Sequence, residues 1–449
     1  MIAQFAIAAW ASRRIATEDD YLIAGRRMGP LLVAGSIFAT WFGAETVVGA
    51  SGTAHAEGVS IASAEPFGYG LCIILMGLIF AVPLWRRRLT TLADLYRQRF
   101  SPRVERVAAV VLIPSSLFWA AAQIRAFGYV LVVSGAGVEL EIALAIAAGL
   151  VILYTAVGGL LADATTDVLQ AFLLAAGLVV LLVTVVGGLG GIGPAVSAME
   201  VGERVRVLPP GGTPMLETVE AWAIPILGSL VATELVSRVI AARSASVAKN
   251  ASLVAGGMYI AVGTVAVLIG LTAGSLVGPV DDPEQLVTMA ARALMSPWLY
   301  VIFAGGFLAA ILSTVDSTLL VSAGLFSHNL LLPALRPLDD RAKVRISRAA
   351  VASFGVIAYV IARAAEGVSS IVEVSSALGS AGILVTVSFG LFTRYGGPRA
   401  AMTTLVTGVA SYVWASLSGA ATPFLLSLAA SGIAYVAVAA VEPHATAAG

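Results

Sequence analysis

The stretch Ala309-Ala310-Ile311-Leu312-Ser313-Thr314-Val315-Asp316-Ser317 sets three hydroxyls and a carboxylate inside an apolar run from Pro297 to Leu332. At helical spacing Ser313, Asp316 and Ser317 stand at i, i+3 and i+4 and so share one face. Hydrocarbon offers such groups no partner, and an ionisable side chain there faces a cavity, an ion or another helix. A cluster of hard oxygens in that setting suits a small cation. A polar seam that joins two helices would use the same residues.

The rest of the chain explains the setting. Its 449 residues are 59% hydrophobic and 12% charged, with a mean hydropathy of +0.95. Apolar runs of membrane-spanning length recur from end to end. Their backbone has to satisfy its own hydrogen bonds in lipid, so they are helices, and the class is an all-α polytopic membrane protein. The 26 basic and 26 acidic residues balance, which gives no indication of a nucleic-acid partner. Cys72 is the single cysteine and excludes an intrachain disulfide. His55, His328 and His444 are not spaced as a metal-binding pair, and no nucleophile–base arrangement is visible, so an enzyme is not expected.

Twelve spans are expected, near 29–56, 59–85, 105–134, 139–158, 160–187, 216–242, 248–279, 297–332, 346–365, 368–392, 398–417 and 421–441. The opening MIAQFAIAAWAS reads as the tail of a further helix, truncated or begun late, and lacks the features of a signal peptide. With the loop before span 1 in the cytoplasm, the other side keeps Arg204, Arg206, Arg292 and Arg363, and Arg125 falls within span 3. The remaining basic residues lie on the cytoplasmic side, Arg238 among them, as the positive-inside rule requires. Segment 88–103 carries Leu and Tyr on one side and Arg on the other, as an interfacial helix or a solvated loop helix would.

In this orientation spans 1–5 and 6–10 are inverted copies, since an odd number of helices per repeat turns the second copy over. Both lead spans carry polar interruptions, Gly43-Ala44-Glu45-Thr46 in span 1 and Thr233-Glu234 followed by Arg238 in span 6. Interruptions at corresponding positions of two halves point to a transporter's binding site. The expected organisation is 1–28, a truncated helix and cytoplasmic loop; 29–187, the first repeat; 188–215, an external loop; 216–392, the second repeat; and 393–449, two further helices and a tail.

Several segments resemble the sodium:solute symporter family. These are YLIAGRRMGPLLVAGSIFATWFGAETVVGASG from Tyr21, TLADLYRQRFSP from Thr91, YTAVGGLLADATTDVLQ from Tyr154, SRVIAARSASVAKNAS from Ser237 and AAILSTVDSTLLVSAG from Ala309. The GGL…TDVLQ and AAILST segments, in the right spans and order, carry most of the likeness. The resemblance implies a LeuT-type fold of five plus five inverted helices, with spans 1 and 6 broken and extra helices flanking. It also implies a sodium site of backbone carbonyls at the span 1 break and oxygens of span 8. Carried over by position, these are the carbonyls of Ala39, Phe42 and Ala310 and the hydroxyls of Ser313 and Thr314. Carbonyls freed by a break and two adjacent hydroxyls make a sensible cage, although the hydroxyls could instead bond back to their own helix. A second cation site found in some members falls on Asp167, Ser313, Asp316 and Ser317. Asp316 stands where those members carry a hydroxyl, and two nearby carboxylates repel unless a cation or a proton lies between them. Asp167 could instead be solvated or pair with a basic residue.

The solute site is expected at the midplane between the broken helices, where Thr46, Glu65, Gln123 and Glu234 match positions near the family's cavity and Arg125 lies close by. A guanidinium within a span needs an anion and grips a carboxylate bidentately. Arg125 would hold a substrate carboxylate, or else pair with Glu65, Glu234 or Glu373. Glu234 replaces the aromatic or polar residue often found at its position, so a sugar specificity does not carry over. The resulting expectation is Na⁺-coupled symport of a small organic solute, such as an organic acid or amino acid, across a bacterial inner membrane without an organic cofactor. A proton-coupled transporter of the same fold is the alternative within transport. A symporter-like sensor is the alternative outside it, and the short tail EPHATAAG after the last span counts against that.

Overall fold

The structure is a computed structural model that describes residues 2–43, 45–133, 137–208, 213–280, 282–335, 337–365 and 368–442. Helices α1 (Ile2–Ser12) and α2 (Glu18–Ile23) precede a first span in two pieces, α3 (Pro30–Trp41) and α4 (Ser51–Ala56), joined through π-helical turns at Glu45–Ala50. The pieces are bent by 58°. Of the expected interruption, Ala44 and the Glu45 side chain lie outside the described residues. The second span is α5 (Phe67–Leu75) with α6 (Ala81–Arg86), and it starts later than expected. The residues ahead of it are drawn into backbone pairing instead: the Val59 N–H donates to the Arg204 carbonyl at 2.7 Å and the Ile61 N–H to that of Val207 at 3.1 Å.

After α7 (Ala93–Arg99) and α8 (Pro102–Val133) comes α9 (Leu140–Gly188), 49 residues long. At 1.5 Å per residue such a helix would extend roughly 73 Å, more than twice a bilayer core. It is in fact two arms that meet at Gly159, whose φ of 61° and ψ of −173° leave the helix. A Cβ there would stand 2.8 Å from both the ring and the carbonyl oxygen of Tyr21, so the Gly158-Gly159 pair joins the fourth and fifth spans without a loop.

Beyond α10 (Ile192–Ala198) the sixth span is again split, into α11 (Met215–Ala223) and α12 (Thr233–Ala241), with residues 229–232 non-helical between them. The chain continues through α13 (Ala245–Thr272), the turn α14 (Gly274–Val277), α15 (Leu286–Leu294) and α16 (Pro297–Gly324). It ends with α17 (Asp340–Ala364), α18 (Val368–Ala377), α19 (Ser380–Phe392), α20 (Pro398–Leu417) and α21 (Pro423–Val441). Local chemistry sets several starts. Ser244 and Asp339 cap α13 and α17 by accepting the Val247 and Ala342 N–H groups, and Pro opens α16, α20 and α21.

Nine helices of the described residues are long and apolar enough to cross a membrane, before the bent α3–α4 pair is counted. At the centre α16 packs on α8 and on α9, and α3 packs on α9 and α13, while α20 and α21 pack chiefly on each other. The broken span and the hydroxyl-bearing helix are thereby brought together in the interior.

Candidate ion and solute site

Helix α3 stops at Trp41, and Phe42 (φ −89°, ψ 70°) turns out of it. Carbonyls of the last turn, Ala39 among them, therefore have no helical successor to bind. The Trp41 carbonyl is taken by the Tyr259 hydroxyl at 3.2 Å. A Cβ at Gly43 would lie 3.1 Å from Gln123 Oε1 and 3.4 Å from Thr314 Oγ1, so glycine lets α8 and α16 close on the break. Thr314 donates to the Ala310 carbonyl at 3.3 Å, the back-bond that its position in a helix allows. Ser313 donates to Asp167, and Thr40 Oγ1 stands 3.5 Å from Ser317 Oγ. The end of α3 and the middle of α16, which carry the five expected sodium-site residues, thus meet through Gly43 and Thr314 and through Thr40 and Ser317, with Asp167 beside Ser313.

Next to this junction lies a buried charge cluster that the sequence reading assembled only in part. Arg238, counted there as cytoplasmic, is fully buried. Its Nη2 binds Asp163 and Ser317 and lies 3.9 Å from Asp167, while its Nε donates to Ser36 at 3.2 Å. Ser36 in turn donates to Asp167 at 2.5 Å, and Ser317 to Asp163 at 2.9 Å. Asp167 therefore does have a basic neighbour, the alternative considered for it. Asp163 was missed, and Arg238 was read in the span 6 interruption but also counted with the cytoplasmic basic residues, without its aspartate partners. Asp163 precedes Asp167 by four residues in an apolar helix, which places them on one face and was a legible signal. Arg238 was hidden by its closeness to the loop basic residues.

Of the expected solute residues, Glu65 alone lines a cavity of about 370 Å³ between the spans, whose charged lining among the described residues is Glu65, Asp282 and Glu284. Glu234 lines a smaller one of about 60 Å³ beside the span 6 break, and accepts a 2.5 Å hydrogen bond from Ser116. Trp41, Tyr69 and Trp119 stand between them, with ring centroids 5.5 to 6.5 Å apart; Tyr69 faces the larger cavity and the two indoles the smaller. Thr46 is buried against the Tyr259 hydroxyl. Gln123 is fully buried, and neither of its amide atoms is hydrogen-bonded to a described residue. Arg125 lines neither cavity; it donates to the Ala362 carbonyl at 2.9 Å, near the end of α17, and lies over the Tyr129 ring. Its other suggested partner, the Glu373 side chain, lies outside the described residues.

A model of the sodium:solute symporter family matches residues 21–408, most of the chain. The chain belongs to the sodium:solute symporter family. Among similar proteins are high-affinity choline transporters of Torpedo marmorata, 26% identical over 83% of this chain and 67% of that protein, and of Homo sapiens, 27% identical over 79% and 64%. The chain thus spans about two thirds of the length of these relatives. Among solved structures, a substrate-bound, outward-open Na⁺-coupled sialic acid symporter matches with a TM-score of 0.87 at 16% identity, over 99% of this chain and 96% of that one. At that identity the likeness speaks for the fold. This symporter-family chain is an integral membrane protein with the LeuT-type architecture of inverted five-helix repeats, and its family is one of transporters, not enzymes.

Proposed function

We propose that the chain is a secondary transporter that couples Na⁺ to the uptake of a small organic cation of the choline type by alternating access. The observation that supports the ion half is the approach of the span 1 break at Gly43 to Thr314, at positions where the sequence resemblance implies a sodium site. In this reading Ala39, Phe42 and Ala310 supply carbonyls and Ser313 and Thr314 supply hydroxyls. Residues 29–187 and 216–392 form the two repeats, and the arginine-rich face looks into the cytoplasm of a bacterial cell.

The solute half departs from the organic acid favoured by sequence. Arg125 lines neither cavity, which removes the main reason for a carboxylate substrate. Carboxylates supply the charge of both cavities, and three large rings stand between them. Aromatic faces attract quaternary ammonium groups through their quadrupoles, and acidic walls raise the local concentration of cations. The choline transporters among its relatives fit the same chemistry.

Uptake of labelled choline into proteoliposomes under an inward Na⁺ gradient tests both halves. The expected result is accumulation that collapses when K⁺ replaces Na⁺. Accumulation unaffected by that exchange would remove sodium coupling, and stabilisation by sialic acid or an organic acid in place of choline would return the solute to an anion.

A further inference from the structure

Gln123 lies in the middle of α8 with a fully buried side chain, and neither Oε1 nor Nε2 meets a hydrogen-bond partner among the described residues. A buried amide left unmet is costly, so such a group marks a place where something else binds. Its sequence position suggested the solute, yet it lines neither cavity. It stands instead at the break of the first span, where a Cβ on Gly43 would lie 3.1 Å from Gln123 Oε1 and 3.4 Å from Thr314 Oγ1.

The oxygens gathered there are acceptors. Thr314 gives its hydroxyl hydrogen to the Ala310 carbonyl at 3.3 Å, which leaves lone pairs for any other contact. Helix α3 ends at Trp41, two residues before Gly43, and the carbonyls of its last turn can only accept. An amide oxygen adds one more acceptor and no hydrogen. Acceptors that converge without a donor suit a hard cation, and a quaternary ammonium, which has no N–H, would find its place against rings instead. Nε2 is unmet as well, so no hydrogen bond fixes how the amide is turned until an ion does. Trp119 precedes Gln123 by four residues, shares its face of α8 and lines the smaller cavity, which sets this amide and a solute contact on one side of one helix.

We propose that Gln123 is an oxygen ligand of the coupling sodium ion, supplied by the third span in addition to the oxygens of α3 and α16. The residue thereby moves from the solute set to the ion set. The inference rests on the sodium-coupled reading, and on the unmet amide at Gly43 and Thr314 for the part that is particular to Gln123.

Binding of labelled Na⁺ to the purified full chain without solute, together with thermal unfolding in Na⁺ and in K⁺, tests it. Gln123→Leu puts an apolar group of similar size in place of the amide. It should weaken Na⁺ binding by about tenfold and shrink the upward shift of the midpoint that Na⁺ gives the wild type. Its midpoint in K⁺ should be kept or raised, because the unmet amide is gone. Gln123→Glu keeps an oxygen and removes the donor, so it should bind Na⁺ at least as tightly as the wild type. Should the leucine variant not fold, Gln123→Asn, which draws the oxygen back by one methylene, carries the same expected loss of Na⁺ binding. Na⁺ affinity unchanged in the leucine or asparagine variant overturns the ligand, and so does a glutamate variant as weak as the leucine one. Weakened choline binding with Na⁺ binding intact would return Gln123 to the solute. A wild type that binds no Na⁺ would sink the sodium-coupled reading itself, whereas a wild type that binds Na⁺ beside an unaffected leucine variant would sink this inference alone.

Discussion

Ser313 and Thr314 are adjacent in sequence yet differ in what they touch: Ser313 binds a carboxylate, and Thr314 binds back to its own helix. Removal of either hydroxyl deletes one oxygen from the proposed cage. Ser313→Ala and Thr314→Ala are each expected to raise the Na⁺ concentration for half-maximal uptake, by about tenfold for a contact worth ~1.4 kcal/mol. Normal transport at low Na⁺ in either variant would place the ion elsewhere. Arg238 makes a different argument, because its loss strands buried carboxylates. Arg238→Met should cost on the order of 3–5 kcal/mol, read as a lowered thermal unfolding midpoint in detergent. A near-wild-type midpoint would mean that the cluster is not a buried ion pair. Trp119→Ala, which opens the ring cluster, should weaken choline transport through KM by roughly tenfold, with the Na⁺ requirement much less affected.

Elements are positioned here by breaks and turns as much as by helices. The Gly159 kink is the clearest case, since its backbone angles are open to glycine almost alone and Tyr21 fills the space above it. Gly159→Ala should lose about 1–3 kcal/mol of stability from backbone strain, with the clash against Tyr21 in addition. Unchanged unfolding would show that the arms of α9 can separate without that turn. On α7, Asp94 joins three elements. It accepts the Thr90 and Thr91 N–H groups at 2.8 and 3.0 Å and the Asn329 amide at 2.9 Å, and it lies 3.3 Å from His328 Nε2. Burial raises the Asp94 carboxyl, but the hydrogen bond and charge of His328 and the two N–H bonds outweigh it and hold the group below its ordinary range. A depressed carboxylate contributes stability that is complete above its unfolded value of about 3.9 and disappears as pH falls through the lower folded value. Asp94→Asn should therefore lower the unfolding midpoint near neutral pH and flatten its fall below about pH 4. An acid limb identical to wild type would exclude Asp94 as its source.

At the scale of the whole molecule, the proposed ion and solute sites both draw on the first span, whose Trp41 lines the smaller cavity, so binding at one should favour binding at the other. Reciprocity requires Na⁺ to tighten choline binding by the same factor that choline tightens Na⁺ binding, and each to raise the unfolding midpoint more in the other's presence. Purely additive shifts would show that the sites are uncoupled. The helical, membrane-spanning type of the elements, the paired interruptions and the hydroxyl-rich face of α16 were legible along the chain, because the free energy of placing a residue in lipid depends mostly on that residue and its near neighbours; the twelve expected spans compare with nine helices of spanning length and apolarity among the described residues, ten with the bent pair. The break in span 6 was read slightly late, at Thr233, since the non-helical residues 229–232 include Leu230, Val231 and Ala232 and look apolar. Which charges meet was a different matter. Arg238 lies 75 residues from Asp163 and beside loop arginines, so hydropathy assigned it to the cytoplasm, while the packed bundle turned it inward onto two aspartates. Likewise Trp41, Tyr69 and Trp119 come from separate spans and form one cluster only when α3, α5 and α8 converge. Composition determines that a helix enters the membrane, whereas the rotation of each helix about its axis, and so the partner of every buried charge, is set by contacts with its neighbours.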